Sequence, residues 1–386
     1  MRKRILYIHN GSDFYGASRS LLRLVTRLDR TRYEPLVMLP SDGPLFDALQ
    51  RHSVQVVVMK SLAVISRRRF QSWKVIPFLL LIPISVMALW QFIRRNHIDL
   101  VHTNTGSIVS AGLAAKLAGA PHIWHVRDSF HDFRNLWGIF SKYILWSSDR
   151  VVCVSNAIAR QFRGMKGKVK VIYNGIPLEE FEGVSAREVD AFKERFGLNG
   201  KRTVGVVGRI KFQRKGQDVF VRAVSLLKDR VNSVKYLIVG SPFPGNETHL
   251  GRLRKLIDEL GVRNEVLLIG DVENIQPVYK ALEVLVVPSC TPDPFAGVVL
   301  EAMAAGTPVV GTSLGGTLEQ IEDGRSGLLV EPNNPELLAK RIQQLLTDET
   351  LSNSIRREAR KRVEETFRFE TMYNEIEQLY NEVLGS

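Results

Sequence analysis

The feature that most constrains this chain is a rhythm: short runs rich in β-branched residues alternate with stretches of helical period along its whole length. In the first half the strand candidates are 4–9 (RILYIH), 34–39, 54–59, 99–103, 122–126 (HIWHV), 149–155 and 169–173. In the second half they are 203–208 (TVGVVG), 234–240, 265–270, 283–289, 308–312 and 327–332. Helical patterns fill the gaps, as at 20–28 (SLLRLVTRL) and 335–346 (PELLAKRIQQLL). Strands separated by helices build βαβ units and parallel sheets rather than hairpins. At 386 residues the chain exceeds one ordinary α/β core, so the rhythm predicts two domains. The linker is expected around 181–188, and a last helix over roughly 368–384 is expected to pack back on the first domain.

Charge divides the chain more sharply than pattern does. Residues 1–183 hold 26 Lys and Arg against 12 Asp and Glu, a net +14, whereas 184–386 hold 27 against 28, a net −1. The excess positive charge of the first half suggests an anionic partner: nucleic acid, a phosphate-bearing acceptor or a membrane surface. A solvated, soluble face is the plainer alternative. Two cysteines, Cys153 and Cys290, are too few for a disulfide framework, and their apolar surroundings suggest reduced, buried thiols. The apolar run at the N-terminus is four residues long, short of a signal peptide, so the protein is read as not secreted.

Three stretches could carry chemistry. In 288–312 (PSCTPDPFAGVVLEAMAAGTPVVGT) a strand ends in a turn and a helix starts near Ala296–Val298, with Asp293 just before it and Glu301 in its early part. Backbone N–H groups at such a start can hold a phosphate or a sugar hydroxyl. The plain alternative is an Asp cap and an exposed Glu. In 204–224 (VGVVGRIKFQRKGQDVFVRAV) a strand ends at Gly208, Arg209, Arg214 and Lys215 follow, and a helix starts near Gln217. Cations beside the carboxyl end of a strand suit a pyrophosphate in an open α/β sheet. A solvated basic loop is the alternative. In 10–25 (NGSDFYGASRSLLRLV), Gly16 near the start of the first helix lets a ligand approach the backbone. No G-x-G-x-x-G follows a strand and no Walker A loop is present, so nicotinamide, flavin and P-loop sites lack their usual signatures.

Taken together, these signals resemble glycosyltransferase family 4, the retaining enzymes of GT-B fold. The family pattern of two acidic residues with seven residues between them, followed by A-M-A-x-G-x-P-V-V, matches Asp293, Glu301 and AMAAGTPVV; its G-R…K-G pair matches Gly208-Arg209 and Lys215-Gly216. Residues 315–342 and 171–181 (VIYNGIPLEEF) look like further family signatures. The resemblance implies an α/β fold of two facing Rossmann-like domains with parallel sheets and a deep interdomain cleft. It divides the chain into 1–183 on the acceptor side, joined by 368–386, and 184–367 on the nucleotide-sugar donor side.

Roles follow by similarity. Arg209 and Lys215 would neutralise the donor diphosphate, and Gly16 would let its loop close on the phosphates. Glu301 would bond the ribose hydroxyls, while Gly270, Asp271 and Val272 would flank the base. Asp293, with the N–H groups of Phe295, Ala296 and Gly297, would hold the transferred sugar. His125 resembles the family histidine near the sugar's reacting face, in contact with the sugar or the departing proton; His102 and His122 read as structural. No metal or other cofactor is expected. The implied partners are a nucleotide-sugar donor, a hexose-type sugar being moved, and a lipid-linked or polysaccharide acceptor, with no nucleic acid. Two departures stand out: Asp293 is one methylene shorter than the family glutamate, and Ala296 stands where the family usually has Gly, with Gly297 one position later. They are the hints for a rival reading, a non-catalytic nucleotide-sugar-binding or assembly subunit. A sugar-nucleotide epimerase of similar architecture fits the 300–310 and 208–216 runs poorly.

One stretch belongs to neither motif. Residues 75–93 (VIPFLLLIPISVMALWQFI) carry no formal charge and are bracketed by Arg67, Arg68, Arg69 and Lys74 before and Arg94 and Arg95 after. Three readings stand: a buried connecting helix, an interfacial helix, and a membrane span, against which Pro77 and Pro83 argue. The protein is expected in the cytoplasm, and the interfacial reading associates residues 67–95 with an anionic membrane and places it at the inner membrane face.

Overall fold

A computed structural model describes residues 2–65, 75–130, 134–162 and 167–385. The chain divides into two compact units, residues 1–173 with 372–386, and residues 174–371. The break thus falls at Tyr173, ten residues before the expected 183, and the stretch 174–183 goes with the second unit.

The first unit is built on a seven-stranded parallel sheet, β1 (Lys3–Ile8), β2 (Tyr33–Leu39), β3 (Gln55–Val58), β4 (Leu100–Thr103), β5 (His122–Val126), β6 (Arg150–Cys153) and β7 (Val169–Val171), in the order β3-β2-β1-β4-β5-β6-β7. All seven strands coincide with β-branched runs of the sequence. Ile5, Leu6, Tyr7 and Ile8 of β1 are wholly buried, as a strand covered on both faces requires. The principal helices are α1 (Gly16–Thr26), α2 (Pro44–Arg51), α3 (Val75–Arg95), α4 (Val109–Ala118) and α5 (Arg134–Trp146).

The apolar stretch of the sequence is α3. Its Val86, Leu89 and Ile93 pack into a core with Leu6, Ile8, Val101, Ala111 and Ala115. Ser85 is buried there too; its hydroxyl donates to Ser110 Oγ at 2.7 Å and accepts from the Ala63 N–H at 3.1 Å. The opposite side of α3 is bare: Leu79, Leu80, Ile84 and Met87 are each more than half exposed. Arg94 and Arg95 at its end are exposed as well, whereas Arg67, Arg68, Arg69 and Lys74 lie outside the described residues.

The second unit holds a six-stranded parallel sheet, β8 (Arg202–Val207), β9 (Val234–Val239), β10 (Val266–Ile269), β11 (Val284–Val287), β12 (Val309–Thr312) and β13 (Leu328–Val330), ordered β10-β9-β8-β11-β12-β13. Its helices include α6 (Ala186–Arg195), α7 (Gln217–Leu227), α8 (Thr248–Glu259), α9 (Gln276–Ala281), α10 (Gly297–Ala305), α11 (Thr317–Gln320), α12 (Pro335–Thr347) and α13 (Glu349–Thr366). Ser185 caps α6 in a full capping box with Glu188. The last helix, α14 (Phe369–Leu384), carries Tyr380, whose ring is buried in the first unit. Cysteine use departs from expectation at one site: Cys153 is buried, but Cys290 lies past the end of β11 and is only half-buried.

Candidate functional site

In an open α/β sheet the strand order reverses at one point, and the loops leaving the two strands there diverge to form a crevice. In the second unit that point lies between β8 and β11. The loop after β8 is 208–216 and the loop after β11 is 288–296. Topology therefore brings together the two motifs of the second half, although they lie some eighty residues apart.

The contact between the loops is direct. Lys215 Nζ donates to both carboxylate oxygens of Asp293, at 2.8 and 2.7 Å, and Ser289 Oγ donates to Asp293 Oδ2 at 2.9 Å. Burial would raise the Asp293 carboxyl, but the Lys215 ammonium and these hydrogen bonds outweigh it and hold it below its ordinary value. The sequence reading gave Lys215 to the phosphates and Asp293 to the sugar; here the two side chains form one unit. Small residues make this possible. Gly216 has φ +68°, and a Cβ there would run into the Pro288 carbonyl. On the other side of Asp293, a Cβ at Gly315 or Gly316 would strike the Asp293 and Pro294 carbonyls, while the Gly316 N–H donates to the Asp293 carbonyl at 2.8 Å. Gly216 and the Gly315–Gly316 pair thus let backbone close in on both ends of the 288–294 loop.

Around this pair the charge is one-sided. Arg209, Lys211, Arg214 and Lys215 all belong to the loop after β8. Burial and then the neighbouring Arg209, Arg214 and Lys215 push Lys211 down to about 8. Lys211 was not among the cations that the sequence reading singled out. Arg209 lies over the Phe243 ring at 4.9 Å, and its carbonyl accepts from Gln217 Nε2 at 3.0 Å. Helix α10 starts at Gly297 with Ala296 as its cap, so Phe295, Ala296 and Gly297 sit at a helix start, where the first N–H groups lack intrahelical partners. Glu301 is not on an exposed face: it is 3% exposed, and Tyr279 donates its hydroxyl to Glu301 Oε2 at 2.6 Å. Gly270, Asp271 and Val272 follow β10, and Asp271 accepts the Ser241 N–H at 3.0 Å, tying the loops after β9 and β10 together.

The first unit reverses between β1 and β4, with His125 on the adjacent β5. Gly16 is the first residue of α1, is exposed, and would have open space for a Cβ. His125 is buried, its Nδ1 lies 3.2 Å from His102 Nε2 and 3.4 Å from an Arg127 nitrogen, and its Nε2 has no hydrogen-bond partner among the described residues. Burial, followed by the Arg127 charge, pushes His125 well below its ordinary value, so at neutral pH the ring is uncharged. His122 is a structural histidine: Thr103 Oγ1 and the Ser147 carbonyl hold its two ring nitrogens, both at 2.8 Å. His102 is likewise held at both ring nitrogens, and joins His125 to Tyr380.

The sequence model described as Glycosyltransferase Family 4 matches residues 14–180, and that described as Glycosyl transferases group 1 matches 188–362, so the two together cover most of the chain. An uncharacterised glycosyltransferase of Methanocaldococcus jannaschii is 34% identical over 247 residues, 61% of this chain and 60% of that protein. The D-inositol 3-phosphate glycosyltransferase of Streptomyces avermitilis is 30% identical over 303 residues, 72% of this chain and 64% of that one. The matched region thus spans less than two thirds of either relative. Among solved structures, Anabaena HepE in complex with UDP and glucose superposes with a TM-score of 0.85 at 23% identity, covering 98% of this chain and all of that one. Sucrose-phosphate synthase from Thermosynechococcus elongatus gives 0.81 at 21%, covering both chains fully.

Proposed function

This chain belongs to glycosyltransferase family 4 and has the GT-B fold, and from that premise we propose that it moves a hexose-type sugar from a nucleotide-diphosphate sugar to a lipid-linked or polysaccharide acceptor, with retention at the anomeric carbon. The observation that carries the reading is the cationic crevice at the strand reversal of the second unit, where Lys215 is locked on Asp293 beside Arg209. An ammonium has three donors. With Asp293 taking part of that capacity, Lys215 is held in place rather than left to swing, and it still carries charge toward a diphosphate. As the glycosidic bond breaks, negative charge grows on the departing nucleotide. Preset cations stabilise that change without reorganising. Asp293 neutralises part of the cluster before the donor arrives and accepts from the sugar's hydroxyls once it is bound. Glu301, anchored by Tyr279, presents its carboxylate to the ribose, and the segment 270–272 flanks the base. The charge of the diphosphate falls to side chains and backbone, so the reaction needs no metal.

The membrane part of the reading rests on the first unit, with its net +14 and the bare apolar face of α3. A lipid-linked acceptor would be met at an anionic inner membrane face.

Two measurements test the proposal. A thermal-shift series with UDP, GDP, ADP and their glucose conjugates should single out one base; a ligand at 100 times its Kd stabilises by about 2.7 kcal/mol. Slow hydrolysis of the matching nucleotide sugar should then appear with purified protein. Binding without any hydrolysis or transfer would instead support the non-catalytic subunit to which Asp293 and Ala296 hinted, and no stabilisation by any nucleotide would sink the donor site itself.

A further inference from the structure

A chain of hydrogen bonds with a single consistent direction runs under the first sheet. Its root is Arg127, which is 8% exposed and can only donate. One Arg127 nitrogen donates to His125 Nδ1 at 3.4 Å, so that atom is an acceptor and carries no proton. A neutral imidazole then bears its proton on Nε2. His102 Nε2, 3.2 Å from the same His125 Nδ1, must also donate to it, so His102 too carries its proton on Nε2. His102 Nδ1 is left to accept, and the group facing it at 2.7 Å is the Tyr380 hydroxyl, which therefore donates. Tyr380 in turn accepts from Tyr7 at 2.9 Å. A second arm leaves Arg127 the other way and obeys the same logic. Arg127 Nε donates to Asn104 Oδ1 at 2.9 Å, Asn104 Nδ2 to His9 Nδ1 at 3.2 Å, His9 Nε2 to Ser18 Oγ at 3.1 Å, and Ser18 to Asp13 Oδ1 at 3.2 Å.

We propose that Tyr380, on the last helix, is a positioning residue: by donating to His102 it holds His125 in the Nε2–H tautomer, and the buried Nε2–H is kept as a hydrogen-bond donor for a ligand oxygen. Two observations converge on this. His125 Nε2 is a buried ring nitrogen without a partner among the described residues. A buried donor left unsatisfied costs free energy that only a ligand or a water returns. The rest of the network is arranged so that no alternative proton placement satisfies every member, because Arg127 cannot accept. His125 is thus a donor and not a base. Burial pushes His102 down to about 3, and His125 is pushed down in the same way, so neither ring takes up a proton near neutrality.

This rests on the proposed reading only for the kind of ligand: His125 offers an N–H to a hydroxyl or ring oxygen, with no role in removing a proton. The test does not need a donor sugar. The protein has eight histidines, few enough to resolve in two-bond 1H–15N spectra of 15N-histidine-labelled protein. Signals are assigned by loss in His125→Asn and His102→Asn. The wild type should show both rings neutral with the proton on Nε2. Tyr380→Phe should move His102 into a mixture of tautomers and shift the His125 signals with it. Tyr7→Phe removes a hydroxyl bond from the same network but leaves Tyr380 free to donate, so it should leave both tautomers unchanged. An Nδ1–H or charged His125 at pH 7 overturns the proposal, as does a Tyr380→Phe spectrum identical to wild type. Equal effects of Tyr7→Phe and Tyr380→Phe also overturn it, because they would mean loosened packing and not a lost bond to His102. Since no nucleotide is present, a protein that binds no nucleotide sugar at all leaves this result as it stands and defeats only the donor reading.

Discussion

At the scale of single residues, the Lys215–Asp293 pair decides how the proposed donor site should respond to mutation. Lys215→Ala and Arg209→Ala are each expected to lower turnover at least tenfold, about 1.4 kcal/mol. Because Lys215 and Asp293 act together, their effects should not add. The affinity for UDP of the double variant Lys215→Ala/Asp293→Asn should lie close to that of Lys215→Ala alone, and calorimetric titration of the four proteins measures the difference. Fully additive losses would separate the two side chains functionally and restore the division into phosphate and sugar roles. The pair also leaves a mark on acid stability. A carboxyl held below its ordinary value stabilises the fold above about pH 4, and that contribution fades as pH falls through the carboxylate range. The Tm gap between wild type and Asp293→Asn should therefore be widest at neutral pH and shrink in acid; a gap independent of pH removes the pairing from the folded state in solution. Glu301→Gln, with its Tyr279 bond weakened, should reduce affinity for the free nucleotide.

At the scale of elements, α3 carries the clearest decision between competing readings. Residues 75–93 were legible as a long apolar segment, but period alone could not say which side faces what. The helix is 21 residues long and apolar enough by composition to cross a membrane. Yet one side is part of the first unit's core, so lipid could not surround the helix, and Pro83 inside it forfeits a helical bond. What it does offer is a row of four exposed apolar side chains ending in Arg94 and Arg95. Elsewhere in the first unit Leu117 of α4 and Trp146 of α5 are also more than half exposed, with Lys116 over the Trp146 ring at 4.8 Å. A row of this kind fits the headgroup boundary of a bilayer, where juxtamembrane cations contribute about 1 kcal/mol each against anionic lipid. Co-sedimentation with anionic vesicles should be seen at low salt and weaken at high salt. Changing Leu79, Leu80 and Ile84 to Gln should cut it at least tenfold without unfolding the protein, since all three are exposed. Failure to sediment with anionic vesicles at low salt would leave the face unexplained and favour a soluble acceptor.

At the scale of the whole molecule, the two units should differ in how they meet acid. His9, His102, His122 and His125 all lie in the first unit, and burial holds each below its ordinary value, His9 and His122 at about 4 and His102 at about 3. Between about pH 4 and 6.5 the unfolded chain binds protons that these buried rings refuse, so stability drops as pH falls through that window. The second unit has one histidine, His249. Amide exchange at pH 7 and pH 5, corrected for intrinsic rates, should show protection lost first in β1, β4 and β5; uniform loss across both sheets would refute the assignment. Much of this molecule was legible from the chain alone. The thirteen strands follow from β-branched runs, because a strand covered on both faces can use little else. The helix starts at Gly16, Gln217 and Gly297 were legible to within a residue or a turn from glycines and the onset of helical period. That cations and carboxylates stand next to the ends of β8 and β11 was legible too, since Arg209, Lys215 and Asp293 follow their strands directly in the sequence. What no local pattern could convey was which of them would touch. Lys215 meets Asp293 across 78 residues and His102 meets Tyr380 across 278. Those contacts depend on the order in which strands line up and on where the last helix returns. That order is settled by burial of whole faces against one another, a property of the assembled sheet and not of any segment of sequence.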